Sequence, residues 1–244
     1  MRTASLEERV GHTRERIAAA AARAGRRPEE ITLVGVSKTH PAEAIREAFV
    51  AGVSHFGENR VQEWEGKRGS IETLAATWHL VGHLQSNKAA RAARAFDSID
   101  SVDDRALAER LDRASAEARP GCKLRVLIEV RVAAEETKSG VEPSELPRLA
   151  EELLGLGHLE FAGLMCIPPF LEDAAATRPY FQELRTLRDG LERRLGKRLP
   201  VLSMGMSHDF EAAIEEGATE VRVGTAIFGE RGKTKPAANA GAPG

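Results

Sequence analysis

Short apolar runs alternate with longer helix-like segments along almost the whole chain, and this alternation constrains the fold more than any other feature. Eight runs rich in apolar or β-branched residues predict strands, at 31–37, 54–58, 78–83, 96–102, 124–132, 159–167, 200–204 and 220–228. Such runs are typical of strands that helices cover on both faces of a sheet. Segments of helical periodicity separate them, which predicts parallel strands joined by crossover helices.

The number of strands and the length of the chain favour one arrangement of such a sheet. A (β/α)8 TIM barrel needs eight strands and about 250 residues, and this chain has 244 residues. We therefore expect an α/β protein built as a closed (β/α)8 barrel. A doubly wound open sheet is the alternative, because periodicity does not show whether a sheet closes.

The two ends of the chain depart from the repeating pattern. Ser5 and Glu8 predict a capping box at the start of an additional amino-terminal helix. We expect a single domain, in which residues 1–30 form a helix packed on the barrel and residues 31–231 form the barrel itself. The tail, residues 232–244, is rich in Ala, Gly and Pro and is expected to be disordered.

Composition and charge argue against several classes of function. The formal net charge of −2 does not favour nucleic acid or a membrane surface as a partner. Cys122 and Cys166 form no CxxC pair, so we expect neither a disulfide framework nor a cysteine metal site. The first residues lack the apolar core of a signal peptide, and no run is long enough to span a membrane. We expect a cytoplasmic protein and a monomer.

The first predicted strand ends in a lysine. In "ITLVGVSKTHP", Lys38 follows the apolar run at the strand end where such barrels carry their functional residues. A lysine there is either a solvated loop residue or a partly buried amine that can form a Schiff base with a carbonyl. This stretch alone does not decide between the two.

Two loops near the carboxyl end of the chain favour a phosphate site. Ser207 follows the seventh predicted strand and is expected to cap the next helix, whose first N–H groups can bind an anion. Gly224 and Thr225 end the eighth strand and offer close backbone approach and a hydroxyl group. Each loop alone could be an ordinary turn, but together they occupy the usual phosphate position of these barrels.

Arg222 lies inside the eighth predicted strand, on the same face as Gly224. If that face lines the barrel interior, the buried guanidinium needs a hydrogen-bond partner. A pyridine nitrogen could accept that hydrogen bond.

The histidines of "HLVGH" do not predict a metal site. His79 and His83 are four residues apart, a spacing that suits one shared ion on a helix. The segment is predicted to be a strand, in which four residues span about 13 Å. No metal site is expected.

Several motifs along the chain occur together in one protein family. They are VGVSKTHP, HFGENRVQE, WHLVGHLQSNK, SIDSVD, ETKSGV, GLMCIPP and LSMGMSHDFEAAIEEGATEVRVGTAIFGER. Between about residues 31 and 231 the chain therefore resembles the pyridoxal phosphate homeostasis protein family, whose fold is similar to the barrel domain of alanine racemase. The resemblance implies binding of pyridoxal 5′-phosphate (PLP), no established catalytic reaction, and a role in buffering PLP and supplying it to apo-enzymes.

Matched residue by residue, the resemblance assigns roles to the residues described above. Lys38 would form the Schiff base, Arg222 would face the pyridine nitrogen, and Asn59 would lie near the ring. The phosphate would be held by Ser207, Gly224 and Thr225.

Two further lysine positions of the family concern cofactor exchange. Lys138 matches a second family lysine that could hold or transfer the cofactor. His40 stands where many members of the family have another lysine, so any role for that lysine is lost here.

Three functions remain compatible with these residues. The first is a PLP-binding carrier and regulator, and the second is a PLP-dependent enzyme similar to an amino-acid racemase. The third, reached without the resemblance, is a Schiff-base aldolase that acts on a phosphorylated sugar. An arginine at the pyridine nitrogen would keep it unprotonated and weaken the ring as an electron sink, which favours the carrier.

Overall fold

The computed structural model describes residues 4–133 and 139–229. The strands are β1 (Thr32–Val36), β2 (His55–Glu58), β3 (Thr77–Leu80), β4 (Ser98–Val102), β5 (Leu124–Glu129), β6 (Leu159–Met165), β7 (Val201–Met206) and β8 (Glu220–Val223). The helices are α1 (Leu6–Arg23), α2 (Ala42–Val50), α3 (Val61–Ile71), α4 (Ala89–Ala95), α5 (Arg105–Ala118), α6 (Leu146–Leu154), α7 (Arg178–Leu195), α8 (Phe210–Glu215) and α9 (Thr225–Phe228).

The strands form a closed parallel barrel in chain order. Each strand pairs with the next, and β8 pairs with β1 in the register Val34 with Arg222. The prediction of a closed (β/α)8 barrel is therefore confirmed, and the alternative of an open sheet is wrong. Within the described residues, the model contains no helix with the length and apolar character needed to cross a bilayer.

Most of the apolar core lies between the outer face of the barrel and the surrounding helices. A second, smaller cluster lies inside the barrel and consists of Leu127, Ala162 and Met165, packed against Val201. The strands β6 and β7 approach closely here, since a Cβ on Gly163 would lie 1.9 Å from the Val201 carbonyl oxygen. Only glycine fits at that position.

Several predicted strand ends differ from the structure. The strand predicted at 78–83 ends at Leu80, and the strand predicted at 124–132 ends at Glu129. The eighth strand was predicted through Phe228 but ends at Val223, and residues 225–228 form the single turn α9. Gly224 carries the change of direction, because its carbonyl accepts the first N–H bonds of that turn.

The amino-terminal helix α1 begins with the predicted capping box. Ser5 Oγ accepts a hydrogen bond from the Glu8 backbone N–H, and the Glu8 carboxylate accepts one from the Ser5 N–H. The helix is fastened to the last elements of the barrel at three points, one of which is the ion pair of Arg23 with Glu215 at the end of α8. Arg16 forms a bidentate ion pair with Glu211 on α8, and Arg9 Nε donates to the carbonyl oxygen of Ile227 in α9 at 2.6 Å.

Candidate functional site

Lys38 lies at the mouth of the barrel, two residues beyond the end of β1. Gly35 faces outward, because a Cβ there would lie 3.6 Å from the Phe228 ring in α9. Strand alternation therefore directs Val36, and Lys38 after it, towards the interior side. Lys38 is partly buried, as the Schiff-base interpretation requires.

The turn that presents Lys38 is strained. Thr39 has a φ of 66°, which is the left-handed region that β-branched residues rarely adopt. The His40 N–H donates to the Ser37 carbonyl at 3.0 Å and closes the turn. The His40 ring then stacks on Phe228 with 5.1 Å between ring centroids, so the residue that replaces a family lysine packs against α9.

A buried ion pair fastens β1 to β2 directly behind the site. Ser37 Oγ donates to Glu58 Oε1 at 2.7 Å, and Lys67 Nζ of α3 donates to the same oxygen at 2.7 Å. Lys67 also donates to the Ser37 carbonyl at 2.9 Å. Burial raises the pKa of Glu58, and Lys67 opposes that rise. The pair therefore fixes the strand ends from which Lys38 and Asn59 follow.

Asn59 is held by a close approach of two loops. A Cβ on Gly82 would lie 2.4 Å from the Asn59 carbonyl oxygen, so a larger residue at position 82 would push the loops apart. Asn59 lines a cleft of about 690 Å³ together with Arg60, His83 and neighbouring residues of both loops. None of the other five predicted site residues lines this cleft.

Ser207 binds a different helix from the one predicted. It was expected to cap α8, but that helix begins after Asp209. Ser207 Oγ instead accepts hydrogen bonds from the backbone N–H groups of Gly224, at 3.1 Å, and Ala226, at 3.3 Å. The loops after β7 and β8 are thus joined directly, through the start of α9.

The start of α9 has the features of an anion cradle. An oxygen atom of Ser207 already occupies the acceptor position of two N–H groups, which shows that this turn can hold an oxygen ligand. Gly224 has no positive φ, and a Cβ there would meet only Val36 atoms at 3.4 Å or more. The packing of the protein alone therefore does not demand glycine at this position. Thr225 adds its hydroxyl group beside it.

Arg222 is buried inside the barrel, a placement that its strand position alone left open. Only 4% of the residue is exposed, and its Nη1 donates to Ser203 Oγ at 2.8 Å while Nη2 donates to the Cys166 carbonyl at 2.7 Å. Both acceptors are neutral, so these two bonds bring no anion to the guanidinium. These bonds use two of its five N–H groups, and they hold it rigidly in the barrel.

Glu129 is a site residue that sequence reasoning missed. It ends β5, is 5% exposed, and pairs in register with Met165 of the interior cluster, so it faces into the barrel. Burial and the nearby carboxyl group of Asp103 raise the pKa of Glu129 to about 7, and Arg222 opposes the rise. An acid at the end of the apolar run "VLIE" was the available signal.

A second polar cluster lies deeper in the barrel. His79 Nδ1 is 3.0 Å from Asp100 Oδ2 and 3.9 Å from Glu220 Oε2, and the three residues together could surround a cation. Burial alone would lower the pKa of His79, but the two carboxylates outweigh it and raise it. Arg125 Nη2 donates to Glu220 at 2.9 Å. With His79 protonated, the positive charges of His79 and Arg125 balance the negative charges of Asp100 and Glu220.

The prediction that His79 and His83 lie on one strand is wrong, because β3 ends at Leu80 and His83 lies in the following loop. His79 faces the interior, whereas His83 is exposed, with its Nδ1 3.6 Å from Asp103.

Lys138 and the predicted tail lie outside the described residues.

Comparison with known proteins finds similar sequences over most of the chain. The family model for the alanine racemase N-terminal domain matches residues 9–232. The pyridoxal phosphate homeostasis protein of Aquifex aeolicus is 48% identical over 224 residues, which cover 92% of this chain and 97% of the relative. The protein of the same name from Escherichia coli K12 is 42% identical over 234 residues, covering 94% of this chain and 98% of the relative.

Two kinds of solved structure are similar to this chain. PipY of Synechococcus elongatus, in a structure with PLP bound, is 44% identical, has a TM-score of 0.78, and is matched over 87% of this chain and 100% of its own. Alanine racemase of Clostridium difficile has a TM-score of 0.69 at 16% identity and is matched over 92% of this chain and 57% of its own, a likeness of fold alone. The chain belongs to the pyridoxal phosphate homeostasis protein family.

Proposed function

We propose that this protein binds PLP as a Schiff base on Lys38 and acts in PLP homeostasis, holding the aldehyde and supplying it to apo-enzymes. The single observation that carries the proposal is the hydrogen-bonded junction of Ser207 with Gly224 and Ala226. This junction lies at the end of β8, and its turn binds an oxygen atom. β8 is a neighbour of β1 in the barrel, and β1 ends next to Lys38. A phosphate on the turn and an aldehyde at the lysine are the two ends of PLP.

The residues present offer partners for the phosphate, the ring nitrogen and the aldehyde of the cofactor. The hydroxyl groups of Ser207 and Thr225 would bind the phosphate, whose oxygen would replace Ser207 Oγ at the N–H groups of Gly224 and Ala226. Arg222 would meet the ring nitrogen. Asn59 would lie near the ring, with its position fixed by Gly82. PLP supplies an electrophilic aldehyde, and the protein residues orient it and hold its charges.

The arginine favours a carrier over an enzyme. A guanidinium that faces the pyridine nitrogen disfavours its protonation, and an unprotonated ring is a weaker electron sink for carbanions. The relatives are also named homeostasis proteins and not enzymes. The racemase-like alternative predicts turnover of an added amino acid, which the carrier does not.

The first experiment is the absorption spectrum of protein supplied with PLP, before and after borohydride. We expect a visible imine band that borohydride bleaches in the wild type and that Lys38→Ala lacks. Lys123→Ala is the matched control, because Lys123 is exposed at the opposite end of the barrel. If Lys38→Ala gives the wild-type spectrum, Lys38 is a surface lysine and the proposal is wrong. Racemisation of an added amino acid by the same sample would favour the enzyme.

A further inference from the structure

The buried carboxyl group of Glu129 has no role in the functions described so far. Only 5% of the residue is exposed, yet no group in ranges 4–133 and 139–229 donates a hydrogen bond to its carboxylate oxygens. Its carboxylate oxygens are not among the fully buried unpartnered atoms of these ranges, so they have access to the space beside them. A largely buried carboxyl group without a donor is costly, and a ligand in that space could supply the donor.

Glu129 stands across the barrel mouth from Lys38. In a closed ring of eight strands, β5 is four strands from β1 in either direction. Both residues lie at carboxyl ends of their strands and on the interior side. A molecule that rested on Glu129 would therefore face the same space as Lys38.

A small cavity opens beside the carboxyl group. Its volume is about 220 Å³, and its lining includes Glu129, Val132, Ser139 and Ile167. This is smaller than the usual 300–1,000 Å³ of sites for drug-sized ligands, but it suits a chain of a few methylene groups. Val132 and Ile167 give it apolar walls, and Glu129 gives it one acidic end.

The charges around the cavity favour a cation. Asp103 lies near Glu129 and has a buried Oδ1 without a hydrogen bond among the described residues. Arg131 also lines the cavity, but it pairs with Glu142 at 2.6 Å. Within the described residues at this side of the mouth, Arg222 is the other guanidinium, so three carboxylates oppose two guanidinium groups. These five groups are negative by one charge when both Glu129 and Asp103 are ionised; the neighbouring basic groups are His83, beside Asp103, and Lys38 across the mouth.

We propose that Glu129 and this cavity form a receiving site for an alkyl primary amine, whose methylene chain would lie along Val132 and Ile167 and whose ammonium group would bind Glu129. A lysine side chain and a free alkylamine share this chemistry. The inference deepens the proposed function, because an amine placed opposite Lys38 is the chemical class that can accept an aldehyde. The binding site itself can be tested without PLP.

The test follows the carboxyl group of Glu129 by ¹³C NMR in PLP-free protein labelled at glutamate. The signal that titrates near neutral pH is assigned by its loss in Glu129→Gln. We expect n-butylamine at about ten times its Kd to lower the midpoint by about one pH unit, because the ammonium group binds only the carboxylate. Sodium chloride at equal ionic strength and 1-butanol should leave it unchanged.

Three further arms separate the possible outcomes. A lysine-containing peptide that shifts the midpoint when n-butylamine does not would show that the site takes a protein lysine. Glu117→Gln, exposed on α5, should retain the full shift. If Glu129→Gln does not fold, Asp103→Asn should lower the Glu129 midpoint without abolishing the amine effect. No shift with either amine overturns the inference.

In PLP-loaded protein, n-butylamine would form the new imine with the aldehyde as the imine to Lys38 breaks and the Lys38 amine leaves. Glu129→Gln should still form the imine on Lys38 but slow this exchange by about 100-fold, the usual scale for loss of an acid–base group. Borohydride added at successive times measures the exchange as the loss of PLP fixed covalently to the protein. An unchanged rate contradicts the role in transfer. If no imine band forms even in the wild type, the proposed function fails, while the NMR result on the amine site stands separately.

Discussion

Lys67 reaches from α3 to the buried carboxylate of Glu58, with 2.7 Å between Nζ and Oε1. The Glu58 side chain is fully buried, and only 14% of the Lys67 side chain is exposed. The pair is therefore largely removed from water and from salt screening. It stabilises the two strand ends that carry Lys38 and Asn59.

We expect Lys67→Met to lower the free energy of unfolding by about 3 kcal/mol, because it leaves the buried Glu58 carboxylate without its cation. Urea unfolding at neutral pH measures this. The control is Arg68→Met, since Arg68 and Glu72 form an exposed pair whose loss should cost less than about 1 kcal/mol. Equal losses of unfolding free energy in both variants would show that the buried pair contributes no more to stability than the exposed pair.

Ser207→Ala is expected to weaken PLP binding by about tenfold or more. It removes a hydroxyl that can donate to the phosphate, and hydrogen bonds to charged groups contribute about 1.5–3 kcal/mol. Isothermal titration calorimetry with PLP gives the affinity. Ser86→Ala, at an exposed serine, should bind PLP normally. A Ser207→Ala protein with wild-type affinity would place the phosphate elsewhere.

Thr39→Gly should raise the free energy of unfolding by about 0.5–1 kcal/mol. The left-handed conformation costs a residue with a Cβ about 1–2 kcal/mol, and part of that gain is lost to the greater unfolded-state freedom of glycine. Thr39→Ala keeps a Cβ and should give no comparable gain. Chemical denaturation distinguishes the two, and an equal stability of both variants would contradict the strain.

Stability should fall on mild acidification because of His55. Burial, followed by the charges of His79 and Arg125, lowers the pKa of His55 to about 4. The unfolded chain therefore binds a proton more readily between pH 6.5 and about 4, and stability falls as the pH drops through that window. The imidazole of His55 lies 3.0 Å from that of His79.

His55→Gln keeps a hydrogen-bonding side chain but does not titrate. Urea midpoints at pH 7 and 4.5 should differ less in this variant than in the wild type. Equal pH dependence in both proteins would assign the acid sensitivity to other groups.

The sequence was sufficient for the parts of this structure that depend on local patterns. The alternation of apolar runs and helices predicted parallel strands joined by helices, and the strand count with the chain length favoured the barrel. The position of Arg222 within its strand predicted a buried guanidinium if that face lined the interior. Hydrogen-bond partners were harder to predict from the sequence, because they depend on segments distant in the chain. Ser207 was assigned to the helix that follows it, whereas it binds the N–H groups of Gly224 and Ala226.

Two other features could not be read from local sequence. The ion pair of Glu58 with Lys67 joins a strand to the helix after it, and in the sequence both residues look like ordinary surface charges. The importance of Glu129 depends on the closure of the barrel, which brings it to the same mouth as Lys38. Periodicity alone does not reveal closure.

The contact between Arg9 and the Ile227 carbonyl makes the geometry of α9 depend on the amino-terminal helix. A single turn of helix such as α9 is not stable by itself, so its geometry depends on what closes its carboxyl end, and here that group comes from α1. Removing the first residues of the chain would therefore accelerate the dissociation of an anion bound at the start of α9, even with every residue that touches the anion intact.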